Sequence, residues 1–311
     1  MILIVTNRGD HTADWLVLEL ERRGASFFRF NTEDYPGDMV LLWTPESSTQ
    51  LGDRRLDEVK SVWYRRPVAA DPAIWPDRDR ASWALAEARE ALLGVWRTTE
   101  AFWVNHPDNN RAASSKLEQI KRATALGFEV PRTLVTNDQE SALDFLGSVG
   151  DSAICKPMKD GRLEFSGREG IFFTSVVDAS ALEKPESIGP EPYLFQELIK
   201  KRFDIRATVI GGEVFSVRIE SQETEIGKVD WRRAGIDAGH AIEELPEDVA
   251  ERCVQLTREY GLRFSAIDLV LQQDGRIVFL ELNPNGQWAW VEQLTGLPLR
   301  SRMADLLEEA R

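Results

Sequence analysis

The chain has 311 residues, of which 42% are hydrophobic and 29% charged, and its formal net charge is −14 at pH 7. A chain of this length can bury a sizeable core, and we expect two or three lobes. The acidic balance argues against nucleic acid as a partner, because binding to phosphates needs a basic face. No apolar run reaches membrane-spanning length and the N-terminus lacks the features of a secretory signal, so we expect no membrane partner and a cytoplasmic location.

The two cysteines, Cys155 and Cys253, lie far apart in sequence and in apolar surroundings. This indicates reduced packing residues rather than a disulfide. The three histidines show no metal-ligand spacing with them. A zinc site is therefore not expected.

The N-terminal third alternates strand and helix patterns. An apolar run at residues 1–6 predicts a strand, residues 13–23 have helical periodicity that ends at Gly24, and residues 26–30 predict a second strand. This order is typical of a parallel α/β lobe. No Gly-x-Gly-x-x-Gly follows the first strand, so the lobe has no dinucleotide fingerprint.

A further strand, at residues 61–67, ends in two arginines before a proline. Ligands bind outside the carboxyl ends of strands in open α/β sheets, so Arg65 and Arg66 are candidates for contact with a substrate or a structural anion. A salt-bridged strand end explains them at least as well. A long Ala-rich helix at residues 78–98 and a last strand at residues 102–107 are expected to complete this lobe.

In the middle of the chain, a predicted strand ends at a lysine. Residues 109–126 predict a helix, and residues 151–157 predict a strand with Lys156 at its end. The glycine-spaced segment 159–170 follows, and a flexible loop flanked by strands can close over a triphosphate. We therefore expect Lys156 to bind phosphate and the loop to act as a lid. Residues 183–192, with three prolines, are the expected connector between lobes.

The most informative stretch lies near the C-terminus, where Asp-Gly separates two strand-like runs, residues 265–271 and 276–283. An Asp-Gly turn predicts a hairpin that would place Asp268 and Glu281 on neighbouring antiparallel strands. Buried carboxylates are costly unless they are paired or bind a cation. These two acids and the Asn283 amide therefore predict an oxygen-ligand site for Mg²⁺. The alternative is a set of ordinary outward-facing polar positions on a half-exposed hairpin.

Basic residues of the last third occur in clusters, Lys200–Arg202 with Arg206 and Arg218 with Arg232–Arg233. In an acidic protein, this clustering favours contact with an anionic ligand. A solvated charged face is the alternative, and it is weakest for Arg206.

The carboxylate and asparagine motif resembles that of the ATP-grasp ligases, in which such residues hold the Mg²⁺ ions that bridge ATP phosphates. The resemblance implies an α/β fold of three lobes with ATP between the last two, and two Mg²⁺ ions. Residues 1–106 would form an N-terminal parallel α/β pre-ATP-grasp lobe, residues 107–192 the central lobe, and residues 193–311 the C-terminal lobe.

Other stretches match motifs of the same enzymes. Residues 192–199 resemble the hinge on which adenine is seated, and residues 203–209 resemble the Asp-x-Arg strand start. The resemblance implies that ATP is bound by Lys116, Lys156, Gln196, Glu197, Leu198, Ile199 and Asp204. It also places Arg206 near the γ-phosphate or acyl phosphate, and makes Arg232 a stabiliser of the transferring phosphoryl charge.

Residues 63–67 and 285–292 narrow the resemblance. They look like stretches of the microviridin-type peptide ligases, the graspetide synthetases, and the similarity covers essentially the whole chain. It implies an ATP-dependent macrocyclase that phosphorylates Asp or Glu side chains of a ribosomal precursor peptide and joins them to Ser or Thr hydroxyls or Lys amines. Family members recognise a leader segment through the central lobe, where residues 171–177 and the helix after Asn109 are candidate docking surfaces, and a homodimer is expected.

An acidic core peptide meeting an enzyme of net charge −14 needs local positive charge. The candidates for this role are Arg65, Arg206, Arg218 and Arg232, and the last three are the predicted catalytic residues. Trp288 and Trp290 alternate in sequence, so on a strand one would face the core and the other the substrate cleft. The alternative, which is favoured for at least one of them, is packing under a loop.

Two alternatives remain open from the sequence. The first keeps the fold and changes the substrate to a protein tail that receives amino acids, or to small peptides that are joined. The second is an ATP-binding regulatory module without turnover. The acids, the asparagine and Arg232 count against the second, because binding alone does not need a full phosphoryl-transfer set.

Overall fold

The computed structural model describes residues 1–150, 152–159, 162–165, 168–182, 187–225, 227–233 and 238–309. Within these ranges the chain forms eight α-helices and eighteen β-strands. None of the helices in the described ranges has the length and apolarity needed to span a membrane.

The first lobe is built around a parallel sheet, as predicted. Its strands are β1 (Ile2–Thr6), β2 (Phe27–Asn31), β3 (Leu41–Thr44), β4 (Ser47–Leu51), β5 (Arg54–Arg55), β6 (Ser61–Tyr64) and β7 (Phe102–Val104), and its helices are α1 (His11–Arg23) and α2 (Arg78–Thr98). The parallel sheet has the order β2-β1-β6-β7, and β3, β4 and β5 form a small antiparallel sheet beside it. The Asp10 side chain caps the start of α1, and Gly24, in the left-handed region at φ 65°, ends it.

The central part of the chain forms a second, antiparallel sheet. Its helices are α3 (Pro107–Ala113), α4 (Lys116–Ala125) and α5 (Gln139–Ser148), and its strands are β8 (Thr133–Thr136), β9 (Ser152–Lys156), β10 (Arg162–Phe165), β11 (Arg168–Ile171), β12 (Ser175–Asp178) and β13 (Tyr193–Glu197). The sheet has the order β12-β9-β13-β8, and β10 pairs with β11 as a separate hairpin. Lys156 is the last residue of β9, as predicted.

Three expectations for this region need correction. The helix predicted for residues 109–126 is broken at Ser114, whose hydroxyl donates to the Asn110 carbonyl at 2.7 Å and competes with the helical pattern. The strand predicted for residues 171–177 is interrupted, because no strand covers residues 172–174. The predicted lobe boundary at residue 193 also differs from the structure, because β13 pairs inside the central sheet.

Two predicted segments lie partly outside the described residues. Residues 160, 161, 166 and 167 of the expected lid loop are not described, and neither are residues 183–186 of the expected connector.

The last third of the chain forms a five-stranded antiparallel sheet in the order β16-β15-β14-β17-β18. Its strands are β14 (Lys201–Ile210), β15 (Glu213–Ile219), β16 (His240–Ile242), β17 (Phe264–Gln272) and β18 (Ile277–Asn283), and its helices are α6 (Glu247–Glu259), α7 (Ala289–Thr295) and α8 (Leu299–Glu308). The predicted hairpin is formed by β17 and β18, and Asp268 lies opposite Glu281.

The first lobe and the C-terminal part of the chain share one hydrophobic core. Leu16 of α1 and Trp63 of β6 belong to the same buried cluster as Met303 of α8 and Trp288. The Trp63 and Trp288 rings lie 6.2 Å apart and both are fully buried. The prediction that Trp288 and Trp290 alternate on a strand is wrong, because the chain turns after β18 and Trp290 lies in α7.

One buried amide joins the first lobe to the C-terminal sheet. Asn105 is 1% exposed, and its Nδ2 donates to the carbonyls of Phe264 (2.9 Å) and Pro284 (3.0 Å) and to the Asn110 side chain (3.1 Å). Its Oδ1 accepts from the backbone of Arg263 at 2.8 Å and of Phe264 at 3.0 Å. All hydrogen-bonding groups of this side chain are therefore used to fix the segment that follows β18.

We predict that Asn105→Ala lowers the free energy of unfolding by about 2–4 kcal/mol, because buried backbone groups of both lobes lose their partner. Urea denaturation measures this change. Asn109→Ala is the matched control, since Asn109 makes one exposed hydrogen bond, to the Gly261 carbonyl, and should cost less than about 1 kcal/mol. Equal losses in the two variants would contradict the prediction.

Candidate active site

A cavity of about 620 Å³ separates α4 and β9 from the sheet that carries β14, β17 and β18. Seven of the predicted site residues line it: Lys116, Lys156, Asp204, Arg232, Asp268, Glu281 and Asn283. They come from four strands, one helix and a loop that are distant in sequence. The fold therefore assembles these charges at one place.

The centre of the cavity is a pair of acids, the buried Asp268 and the partly buried Glu281. Asp268 accepts hydrogen bonds from Arg206 at 2.8 Å and from Arg232 at 2.6 Å, and Arg232 also donates to Glu281. The Asn283 amide donates to Asp268 at 3.3 Å and to Glu281 at 3.1 Å. The two carboxylates thus face a common point that a cationic group already occupies.

The two acids differ in their ease of ionisation. Burial raises the pKa of Asp268 above its ordinary value, although Arg206 and Arg232 oppose the rise. Burial also acts on Glu281, but the charges of Arg232, Lys116 and Lys156 outweigh it and hold its pKa well below the ordinary range. Glu281 is therefore the more firmly ionised of the two acids.

This donor set fits Mg²⁺. Carboxylate and amide oxygens are ligands that Mg²⁺ accepts, and the ion commonly takes only one or two carboxylates from the protein beside phosphate oxygens and water. Asp268 and Glu281 supply the carboxylates, and a rotation of the Asn283 amide would turn its oxygen towards them. In the described part of the chain no group of three or more His, Cys, Asp or Glu side chains is placed to hold a metal, so the other ligands would have to come from bound phosphate and water.

Two lysines stand beside the acids. Lys116, at the start of α4, donates to the Pro157 carbonyl at 3.1 Å and lies 3.7 Å from Glu281. Burial lowers the pKa of Lys156 to about 8, and the neighbouring charges of Lys116 and Arg232 add to this effect. Both ammonium groups are placed to meet an anion in the cavity.

Asp204 lies at the cavity wall with a partner of its own. The Lys201 ammonium is 2.7 Å from the Asp204 carboxylate, and the Ser221 hydroxyl donates to it at 2.5 Å. Burial raises the pKa of Asp204 in spite of Lys201. Lys201 is buried. The alternative of a solvated charged face, which the sequence allowed for Lys200–Arg202, therefore does not hold for Lys201.

Arg206 lies behind the cavity wall. Apart from its ion pair with Asp268, it donates to the Gln287 carbonyl at 3.3 Å, and it does not line the cavity. A Cβ at Gly286 would lie 2.5 Å from Arg206 Nη2, so only glycine lets the chain pass this close. Arg206 is therefore placed to fix Asp268 and the Asn-Pro-Asn-Gly turn.

The structure does not bring the remaining predicted residues to the cavity. Gln196, Glu197, Leu198 and Ile199 lie at the end of β13 and just beyond it, next to the wall strand β9, and none of them lines the cavity. Arg218, on β15, lies 2.9 Å from Glu220 and 3.7 Å from Glu243 instead of facing the cavity.

Several lining residues escaped the sequence analysis. Gln119 of α4 pairs through its amide with the backbone of Leu282, at 2.8 and 2.9 Å, and fixes the end of β18. Phe172, Phe173 and Trp231 give the cavity an apolar border. Phe172 and Phe173 are exposed and lie outside the strands, and only the fold shows that they line the same cavity as the acids.

Comparison with known proteins identifies the family. Residues 113–307 match the RimK-like ATP-grasp domain, which is more than half of the chain. The chain belongs to the RimK-like ATP-grasp family. Residues 1–111 match the MvdD pre-ATP-grasp domain. The predicted ATP-grasp fold and the resemblance to the graspetide synthetases are confirmed by these matches and by the solved structures that follow.

Two solved structures align with the whole chain. A Chryseobacterium gregarium RiPP-associated ATP-grasp ligase, in complex with ADP and a leader and core peptide, is 29% identical with a TM-score of 0.91, covering 100% of this chain and 97% of that one. The macrocyclase MdnC from Microcystis aeruginosa MRC, bound with precursor peptide MdnA, is 27% identical with a TM-score of 0.89, covering 100% of both chains.

A curated human ATP-grasp relative matches over a shorter stretch. N-acetylaspartylglutamate synthase A from Homo sapiens is 28% identical over 116 residues, which is 37% of this chain and 29% of that protein. The match thus spans less than a third of the length of this relative.

We predict that binding of ADP weakens as the pH rises through about 8, because Lys156 with a pKa of about 8 loses the charge that attracts phosphate. Below pH 7 the lysine is protonated and affinity should be insensitive to this group. Between pH 8 and 9.5 affinity should fall by up to roughly tenfold per pH unit. Calorimetry at fixed Mg²⁺ measures this, and Lys156→Arg, whose charge persists, should give a flat profile in the same window. An identical slope in that variant would assign the effect to another group.

Proposed function

We propose that the chain is an ATP-dependent peptide macrocyclase acting on a ribosomal precursor peptide with a leader and an acidic core. The observation that carries the proposal is the convergence of two lysines, Arg232 and the acids Asp268 and Glu281 on one cavity. The full-length similarity to a ligase that binds a leader and core peptide, and to the macrocyclase MdnC, supports the choice of substrate.

The reaction has two steps. The γ-phosphoryl group of ATP is transferred to a side-chain carboxylate of an Asp or Glu in the peptide, which gives an acyl phosphate and ADP. A Ser or Thr hydroxyl, or a Lys amine, of the same peptide then attacks the acyl carbon and loses its proton while the bond to phosphate breaks. The products are an ω-ester or ω-amide and inorganic phosphate.

The residues at the cavity have different roles in this reaction. Lys116 and Lys156 bind phosphate oxygens, and Arg232, whose side chain is 43% exposed, supplies positive charge to the transferring phosphoryl group. Asp268, Glu281 and Asn283 would hold Mg²⁺, and we propose two ions. When bound, Mg²⁺ neutralises negative charge on the ATP phosphates. Arg206 opposes the rise in the pKa of Asp268 and holds its carboxylate in place.

The acyl phosphate must be kept from water before the nucleophile attacks. The apolar side chains of Phe172, Phe173 and Trp231 line the same cavity as the acids. We propose that they exclude water once a peptide is bound. We further propose that the enzyme is a cytoplasmic homodimer.

A second candidate function keeps the chemistry and changes the acceptor. The 116-residue match to N-acetylaspartylglutamate synthase A favours a ligase that joins small acids or amino acids. Such a ligase would use the same ATP-binding residues as a macrocyclase. Only the conversion of a peptide substrate distinguishes the two functions.

Intact mass spectrometry tests the proposal. The small acidic peptide encoded beside this chain is incubated with the enzyme, Mg²⁺ and ATP, and we expect the loss of one water per new bond together with the formation of ADP. Tandem mass spectra should locate the links between acidic side chains and Ser, Thr or Lys. An unchanged peptide despite ATP turnover would favour the small-substrate ligase.

We predict that Glu281→Gln lowers the rate of ligation by at least about a hundredfold while peptide binding changes little. The reason is that the variant loses a firmly ionised carboxylate that pairs with Arg232 and would bind the metal. Rates by mass spectrometry and binding by fluorescence anisotropy measure the two effects. Glu251→Gln, at an exposed position of α6, is the control and should match the wild type. Normal turnover of Glu281→Gln would remove this residue from the mechanism.

A further inference from the structure

A second cavity, of about 660 Å³, lies in the first lobe at the carboxyl ends of β1 and β6. Asn7 and residues 9–12 after β1 line the cavity, and so do residues 65–68 after β6. Asn285, Gln287 and Trp290 of the C-terminal part close it. We call it the switch-point cavity.

Its position follows from the topology of the parallel sheet. From β1 the chain passes through α1 to β2 on one side, while β6 pairs with β1 on the other side. The loops after β1 and β6 therefore turn away from each other. In open α/β sheets the crevice at such a point is where ligands bind.

The switch-point cavity continues the active-site cavity. Arg66 lines both of them. Trp231 borders the first and Trp290 the second, and their ring centroids are 5.5 Å apart. A trough therefore runs from the acids and lysines, past Arg66, into the first lobe.

The charges around the switch-point cavity favour an anion. Arg66 is exposed and has no ion pair within the described ranges, and only its backbone carbonyl is bonded, by Asn7 at 2.6 Å. Arg65 is 0% exposed, donates to the Asn285 carbonyl and forms an ion pair with Asp10, with 3.5 Å between its Nε and the carboxylate. Asp10 also accepts from the Thr6 hydroxyl at 2.7 Å. The charge of Arg65 is thus balanced by Asp10, and the surplus positive charge here comes from Arg66.

The other lining groups suit a peptide rather than a small anion. The amides of Gln287 and Gln293 can bond to peptide groups, and Val68 and Trp290 offer apolar surface. One amino acid spans at most about 3.6 Å of extended chain, so a single amino acid substrate would leave the switch-point cavity unused. A trough of two joined cavities fits an extended segment of several residues.

We propose that the core of the peptide substrate crosses from the active-site cavity into the switch-point cavity, and that Arg66 pairs with an acidic side chain of the core at the junction. This inference rests on the peptide ligase function proposed above. It assigns the first lobe a direct part in selecting an acidic peptide over a single amino acid.

Arg66→Ala tests the assignment. With the precursor peptide as substrate, we expect its KM to rise about tenfold, the size of one lost charge-assisted hydrogen bond, while the affinity for ADP stays unchanged. Arg66→Lys should recover part of the loss. Arg80→Ala, an exposed arginine of α2 without an ion pair in the described ranges, is the matched control and should behave as the wild type. Equal KM values for Arg66→Ala and Arg80→Ala would overturn the proposal.

Gly9→Phe provides a second variant that fills the switch-point cavity. A Cβ at Gly9 meets nothing closer than 3.5 Å, so the substitution has room at the backbone. We expect weaker binding of a fluorescein-labelled core peptide without its leader, and unchanged binding of ADP. Unchanged core binding in this variant would exclude the path through the switch-point cavity.

Core binding is measured in parallel with turnover to separate two kinds of failure. One outcome is that the wild type binds the core more tightly than Arg66→Ala does and yet never converts it. This result would count against the proposed function and support the path. A wild type that converts the peptide with no difference from Arg66→Ala would count against the path alone. A wild type that neither binds nor converts the core would overturn both.

Discussion

Asp268 is held between two arginines from different parts of the C-terminal third, Arg206 on the adjacent strand and Arg232 from the loop across the cavity. A buried carboxylate without these partners would be strongly destabilising, because removing one partner of a buried ion pair costs about 3–5 kcal/mol. The geometry of the site depends on this pair of contacts. Arg206 fixes the acid from behind, which leaves Arg232 and Glu281 facing the cavity.

The turn after β18 is the point at which the lobes meet. Gln119 fixes Leu282, Asn105 fixes Pro284, and Arg65 fixes Asn285. These three side chains come from α4 and from the ends of β7 and β6. Asn283, a candidate metal ligand, is therefore positioned by groups from outside its own sheet, and a disturbance of the first lobe would reach the phosphoryl-transfer site through this turn.

The same turn also separates the two cavities. Pro284 borders the active-site cavity and Asn285 borders the switch-point cavity. The segment that carries the candidate metal amide thus forms the boundary between ATP chemistry and the proposed path of the peptide.

The sequence alone determined the features that depend on local pattern. The Asp-Gly turn specified the β17 and β18 hairpin with Asp268 opposite Glu281, and periodicity located α1, α2 and the strand that ends at Lys156. The break between α3 and α4 was missed because serine hydroxyls compete with helical hydrogen bonds only in a particular backbone geometry.

The tertiary structure decided which charged side chains lie together at one site. Arg206 and Arg218 both lie in strands with similar neighbours, yet one is buried against Asp268 and the other pairs with Glu220, away from the cavity. Lys201, Gln119 and Arg66 acquired their positions only when distant elements packed together. Charge and spacing along a chain indicate which groups can bind an anion, but the direction of a side chain depends on sheet register and on packing between lobes, which local sequence does not contain.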